Sequence, residues 1–177
     1  IIVFLGALLL AFQAYGDYQL HSAEDLSDEE ILTLLETPNS QAADEDDITV
    51  EQYQEFHDAA RESGGYALRA AGLGLGVVMM LVGSALLFQL KPVGAWLNVG
   101  GASIGLVSGV VGSWLLGGAA AANLTGPLLL TYQILTYFCG VCMFSCIGLA
   151  ALPLLNARAR LALYPNPTVV LSLDEQE

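Results

Sequence analysis

The stretch GASIGLVSGVVGSWLLG, residues 101–117, carries a small residue at every fourth position. Glycine inside a helix costs about 1 kcal/mol relative to alanine in water. A bilayer keeps such a helix formed, because an unfolded backbone in lipid would leave its polar groups without partners. Glycine then permits two helix backbones to approach closely. The stretch therefore predicts a membrane helix that packs through a smooth face.

The residues predicted to form this packing face share a missing or very short side chain: Gly101, Gly105, Ser108, Gly109 and Gly112, with Gly72 and Gly76 from the preceding apolar stretch. The short turn KPVG, residues 91–94, joins the two stretches and predicts an antiparallel hairpin. The smooth face is expected to meet the chain's own preceding helix, a second copy or another subunit. We expect the part of it that contains Gly105 and Gly109 to be the most sensitive to substitution.

Three long apolar stretches indicate an integral membrane protein. Hydrophobic residues make up 55% of the 177 residues, and the predicted spans are 66–90, 93–117 and 127–155. Arg69 is the one charged residue inside them. Each stretch exceeds the ~20 residues needed to cross the hydrocarbon core of a bilayer.

We interpret residues 1–16 as a further membrane span, which gives an all-α fold with four transmembrane helices. This stretch is short for a span, so the sequence as given is expected to begin inside a longer segment. The alternative is the apolar core of a signal peptide or membrane anchor. Residues 17–65 then connect the first two spans, residues 66–160 hold the other three, and residues 161–177 form a tail.

The charged residues are strongly segregated. Fifteen of the 18 acidic residues lie between Asp17 and Glu62, whereas the bases Lys91, Arg158 and Arg160 flank the later spans. Basic residues near membrane ends stay on the cytoplasmic side. We therefore expect a multi-pass protein with its acidic segment extracytoplasmic or lumenal and its tail on the cytoplasmic side. The net charge of −13 argues against nucleic-acid binding.

Two capping boxes organise the acidic segment. Ser27 with Glu30, and Thr49 with Gln52, have the spacing in which each side chain bonds the other residue's backbone N–H. They predict helices over 28–36 and 50–62, with Pro38 and Asn39 expected to end the first. Paired through their apolar faces, the two helices would form a small acidic hairpin between spans one and two.

The loop between these helices resembles a calcium loop only in charge. When Asp44 is aligned with the first ligand position, Ile48 occupies the fifth and Thr49 stands where an EF-hand needs glycine. We expect no tight calcium site here and only weak attraction of cations to one acidic run, Asp44, Glu45, Asp46 and Asp47.

Chemistry-bearing residues are sparse in the predicted spans. No histidine, aspartate or glutamate falls within them as bounded above. Cys139, Cys142 and Cys146 share one helix face, which we interpret as packing, with a redox or metal role as the alternative. We therefore predict no catalytic residues, no metal site and no cofactor.

The sequence favours a non-catalytic accessory or assembly subunit of a larger membrane complex. Its expected partners are the lipid bilayer and other membrane subunits, and a homo-oligomer is left open. The alternative is a small oligomeric channel or transporter-like protein. A pore needs a row of polar side chains along a helix, and the sequence offers only a short one, Ser103, Ser108 and Ser113.

Overall fold

A computed structural model describes residues 2–23, 26–41 and 47–164 of the chain. In these ranges the regular structure is entirely helical: α1 (Ile2–Ser22), α2 (Asp28–Gln41), α3 (Val50–Glu62), α4 (Gly65–Phe88), α5 (Pro92–Asn123), α6 (Gly126–Leu155) and α7 (Ala157–Leu163). The predicted all-helical fold is thereby confirmed for this part of the chain. Three of the helices, α4, α5 and α6, are long and apolar enough to cross a membrane. This is compatible with a multi-pass membrane protein.

Helices α4 and α5 form an antiparallel hairpin, along which α1 packs on α4 and α6 packs on α5. One end of the bundle holds α2 and α3, and we call it the acidic end. The opposite end holds Lys91 and α7 with Arg158 and Arg160, and we call it the basic end. Four helices meet in the interior through one buried cluster, Ala7, Met80, Ala102 and Ala150.

Two helices run further than the sequence indicated. Helix α1 continues to Ser22 and so includes Asp17, which had been expected to begin the acidic segment. Helix α5 continues through Gly117 to Asn123, where a link over 118–126 was expected. Alanines at 119–122 favour the helix. Burial of Ala120 in the acidic-end core stabilises the extension further.

Helix α2 also differs from its predicted bounds, because it passes Pro38 and ends at Gln41. A proline inside a helix removes one backbone hydrogen bond. A tertiary contact explains the continuation. The Asn39 amide donates to the Ile48 carbonyl at 3.0 Å and accepts from the Ile48 N–H at 3.2 Å. This pair of bonds joins the last turn of α2 to the residue that leads into α3.

The predicted caps of α2 and α3 are confirmed. The Glu30 carboxylate accepts from the Ser27 N–H at 3.1 Å, and the Ser27 hydroxyl oxygen accepts from the Glu30 N–H at 3.4 Å. Thr49 and Gln52 form the second capping box, and α3 has its predicted bounds. The hydrogen bonds from Ser27 lower the pKa of the Glu30 carboxyl below its ordinary value.

Aromatic side chains pack α3 against the other helices of the bundle. The fully buried Phe56 ring meets the Tyr132 ring of α6 edge to face, with centroids 5.0 Å apart. In the following residue, His57, Nε2 lies 3.2 Å from the Ala23 carbonyl oxygen after α1. Helix α3 therefore contacts α6 and the end of α1, and its buried residues belong to one core with residues of α5 and α6.

The turn between α4 and α5 has an unusual residue in its left-handed position. The Lys91 N–H donates to the Leu86 carbonyl and the Leu90 N–H to the Leu87 carbonyl, both at 3.0 Å. This is the Schellman pattern, which usually places glycine where Leu90 stands with φ +55°. A leucine in this conformation costs roughly 1–2 kcal/mol.

Candidate functional site

The backbones of α4 and α5 approach each other closely where the two helices cross. A Cβ atom added to Gly76 would lie 2.7 Å from the Gly101 carbonyl oxygen, and one added to Gly101 would lie 2.7 Å from the Gly76 oxygen. A Cβ at Gly72 would collide with the Ser108 side chain. Three of the predicted packing residues and Ser108 therefore lie together, and they bring α4 against α5 of the same chain.

Two further glycine pairs extend this crossing along the helices. Near the turn, a Cβ at Gly94 would lie 2.5 Å from the Gly83 oxygen, and at the acidic end a Cβ at Gly65 would lie 3.0 Å from the Gly112 oxygen. Gly83 belongs to the same series of small residues as the predicted Gly72 and Gly76, whereas Gly94 and Gly65 were not predicted. The signal was available, because antiparallel helices joined by the KPVG turn bring glycines on its two sides into register.

Gly105 and Gly109 lie at a looser point of this face than the sequence suggested. A Cβ at Gly105 would meet the Leu73 and Met143 side chains at 3.8 and 3.9 Å, which are ordinary contact distances. A Cβ at Gly109 would lie 3.1 Å from the flexible end of Met143. We therefore expect substitution to be most harmful at Gly76 and Gly101 rather than at Gly105, because an added Cβ atom there would meet a backbone carbonyl oxygen.

A buried ion pair joins α1 to α4 near the acidic end. Arg69 Nε lies 3.1 Å from Asp17 Oδ2, and the two side chains are 17% and 6% exposed. The pair was not predicted, because Asp17 was assigned to the acidic segment and Arg69 to an apolar stretch. Charged groups withdrawn from solvent are costly unless they are paired.

The aliphatic part of the Arg69 side chain packs against Gly112 of α5. A Cβ atom at Gly112 would collide with the Arg69 side chain. A side chain at Gly112 would block two contacts: the close approach of the Gly65 backbone and the packing of the Arg69 side chain. Gly112 was predicted to pack a helix, and it does so against α4.

A cleft of about 460 Å³ lies beside this ion pair, between α1 and α6. Arg69 and Ser113 contribute to its lining, which is otherwise dominated by apolar side chains of α1 and α6. The two helices make few contacts with each other beside the cleft, and they meet in the buried cluster that contains Ala7 and Ala150. Its volume falls in the range of about 300–1,000 Å³ that small-molecule sites occupy.

A second concavity, of about 790 Å³, lies between α2 and α3. Its floor includes the buried side chains of Ile31, Leu35 and Ile48. Its walls carry four carboxylates: Asp28, Glu51, Glu55 and Asp58. We call this surface the acidic groove. It joins an apolar floor to a negative rim at the acidic end of the bundle.

The remaining predicted positions are less informative. Of the acidic run, Asp44, Glu45 and Asp46 lie outside the described residues, while Asp47 is exposed before α3. Among the residues described, no group of three or more His, Cys, Asp or Glu side chains is placed to hold a metal ion. The side chains of Cys139 and Cys142 lie outside the described part, and Cys146 lines the cleft.

No known protein family matches the chain, and no curated protein or solved structure is detectably similar to it.

Proposed function

We propose that the protein is a non-catalytic accessory or assembly subunit of a larger membrane complex. The observation that carries this proposal is the acidic groove, which combines an apolar floor with carboxylates on its walls. Such a surface suits a basic, amphipathic segment of a partner, because the floor accepts apolar side chains and the rim attracts positive charge. The docking of α3 through Phe56 would transmit partner binding directly to the membrane helices.

The proposal includes α1 as a fourth membrane span. Its 21 residues correspond to about 31 Å of helix, close to the thickness of the hydrocarbon core. Ala7 and Ala14 are buried against the bundle, whereas Leu5, Leu9 and Phe12 are exposed and suit a lipid environment. Pairing with Arg69 lowers the cost of Asp17 near the end of this helix.

We further propose that the acidic end is extracytoplasmic or lumenal. Lys91, Arg158 and Arg160 at the basic end support this orientation through the positive-inside rule. The test uses a variant without native cysteines and one new cysteine at an exposed position, either Asp47→Cys or Arg158→Cys. An impermeant thiol reagent applied from outside should label the first and spare the second. The reverse pattern would refute the orientation.

The subunit assignment is tested by gentle solubilisation followed by native mass measurement. We expect this chain in a defined stoichiometry with at least one unrelated membrane polypeptide. The double variant Glu51→Lys/Glu55→Lys should lose that polypeptide, because it cancels the net negative charge of the groove rim, where Asp28 and Asp58 remain. The matched variant Glu36→Lys/Glu62→Lys changes the net charge equally at exposed positions outside the groove and should retain it.

Two outcomes of this experiment would contradict the proposal. A chain that migrates alone at its own mass would remove the complex. A ring of identical chains would favour the channel alternative. The serines of α5 give that alternative little support, because the Ser103 and Ser108 hydroxyls each donate to a carbonyl of their own helix at 2.8 Å. Ser113 is buried inside the bundle.

A further inference from the structure

The cleft between α1 and α6 changes polarity along its length. Toward the acidic end its lining includes the polar side chains of Gln13, Arg69, Tyr132 and Thr136. Further from the acidic end its lining becomes apolar, with Gly6 and Leu9 from α1 and Phe138 and Met143 from α6. A ligand that fits both parts has a polar head and a long apolar tail.

Arg69 supplies the main recognition chemistry at the polar end. A guanidinium carries five N–H donors, and the contact with Asp17 is made through Nε. The two terminal nitrogens carry the other four N–H donors of the guanidinium. Asp17 already neutralises the charge of Arg69, so an added anion would face the repulsion of that carboxylate. An uncharged oxygen acceptor, such as an ester carbonyl, fits better.

The entrance of the cleft fits a ligand that arrives from the bilayer. Leu9 and Phe138 line the cleft and are still 71% and 64% exposed, so the cleft opens on the apolar outer surface of the helices. A lipid chain could enter there without crossing water. The polar end of the cleft lies near the acidic end of α1, α4 and α6, where an ester group at the membrane interface would lie.

We propose that this cleft binds one acyl chain of a membrane glycerolipid. The ester carbonyl accepts hydrogen bonds from the Arg69 guanidinium, and the chain lies between α1 and α6 against Leu9, Phe138 and Met143. The lipid fills the space that the two helices leave between them. It therefore contributes to the packing of α6, which the protein itself holds mainly through α5.

Gly6 offers a way to close the cleft without disturbing the fold. It lines the cleft, and a Cβ atom added there would meet nothing within 4 Å. Gly6→Leu therefore places a side chain in the space proposed for the acyl chain. Gly16→Leu is the matched control, because Gly16 lies on the same helix with equally open space and does not line the cleft.

The test uses photocrosslinking in phosphatidylcholine vesicles that contain phosphatidylcholine with a diazirine in one acyl chain. Peptide mass spectrometry then maps the adducts on α6. We expect more adducts at Phe138 and Met143 than at Val141 and Phe144, which are exposed and do not line the cleft. Gly6→Leu should lower the cleft adducts at least fivefold and leave those at Val141 unchanged. Gly16→Leu should resemble wild type.

Arg69→Lys tests the head of the ligand separately. Lysine keeps the positive charge opposite Asp17 but lacks the additional planar donors of guanidinium. We expect fewer cleft adducts in this variant and an unchanged yield at Val141. Unchanged cleft adducts would overturn the assignment of the ester carbonyl to Arg69.

Three results would overturn the proposal as a whole. One is an equal adduct yield at cleft and outward positions of α6. Another is a cleft yield that Gly6→Leu does not change. The third is crosslinking of the cleft to a second polypeptide, which would make a partner helix the occupant. A competition experiment identifies the class of lipid that donates the acyl chain. Unlabelled phosphatidylcholine should reduce the cleft adducts more strongly than a free fatty acid or a carbonyl-headed isoprenoid does. The opposite order would refute a glycerolipid.

Discussion

Arg69 on α4 pairs with Asp17 on α1, with 3.1 Å between Nε and Oδ2, while its stem packs against Gly112 of α5, a residue that has no side chain. Arg69 thus joins its own helix, α4, to both α1 and α5. The pair is largely withdrawn from solvent, so each partner exists in its charged form at the expense of hydration. The loss of one partner should therefore harm the fold more than the loss of both.

We expect Arg69→Gln to lower the free energy of unfolding by about 3 kcal/mol, because it leaves the Asp17 carboxylate buried without its counter-ion. The double variant Asp17→Asn/Arg69→Gln should recover at least half of that loss. Thermal and denaturant unfolding in detergent micelles would measure both. Asp58→Asn, which breaks an exposed pair 3.9 Å long, should cost under about 1 kcal/mol and serves as control. Equal losses in the single and double variants would contradict this account.

Alanine substitutions should separate the tight and loose parts of the glycine face. Gly76→Ala adds a methyl group 2.7 Å from the Gly101 oxygen, so it should destabilise the α4–α5 crossing by roughly 1–3 kcal/mol. Gly105→Ala adds the same group at ordinary contact distances and should be neutral or slightly stabilising. Both changes favour the helix equally, so their difference reports the crossing alone. A comparison of melting temperatures in one detergent tests it, and similar values for the two variants would contradict the geometry.

Leu90→Gly should stabilise the protein by about 1 kcal/mol, because the left-handed conformation at φ +55° is strained for leucine and easy for glycine. Leu90 is exposed, so little packing is lost. Gly64→Ala provides the opposite case, since Gly64 has φ +72° with open space around it and alanine should be destabilising there. Unfolding measurements on both variants check the prediction. A destabilised Leu90→Gly protein would count against it.

The start of α2 should depend on pH through Glu30. Its hydrogen bonds with Ser27 lower the pKa of the folded state, so their stabilisation is complete above the ordinary pKa of a glutamate and is lost as the pH falls through the lowered value. NMR titration of the Glu30 side chain in the intact protein measures this. Ser27→Ala should raise the pKa of Glu30, and Ser27→Thr, which keeps the hydroxyl, should preserve it. An unchanged value in Ser27→Ala would refute the role of the cap.

Local chemistry made part of this fold predictable. The capping boxes at Ser27 and Thr49 need only residues three positions apart, so the starts of α2 and α3 could be derived from sequence. Apolar length identified α4, α5 and α6. Helix ends were harder, because the continuation past Pro38 depends on a bond from Asn39 to a residue nine positions away.

The candidate sites depended on contacts that single residues do not reveal. Asp17 was assigned to the start of the acidic segment, and its partner Arg69 lies far along the chain, so no local pattern links the two residues. The smooth face of α5 was evident, yet which of its residues touch the backbone of α4 depends on the register of the two helices. That register brings Gly76 to Gly101 and leaves Gly105 opposite the Leu73 and Met143 side chains.

Helix α5 has a mechanical consequence. Its 32 residues form a rod of about 48 Å, well beyond the ~30 Å of hydrocarbon that a membrane span must cross. Leu116 and Ala120, in its last two turns, belong to the same core as α3, and its first turn adjoins the α4–α5 turn at the other end. A force on the acidic segment is therefore applied to one end of a single unbroken helix. If α5 tilts as a rigid unit about its crossing with α4, its first turn at the basic end moves in the opposite direction.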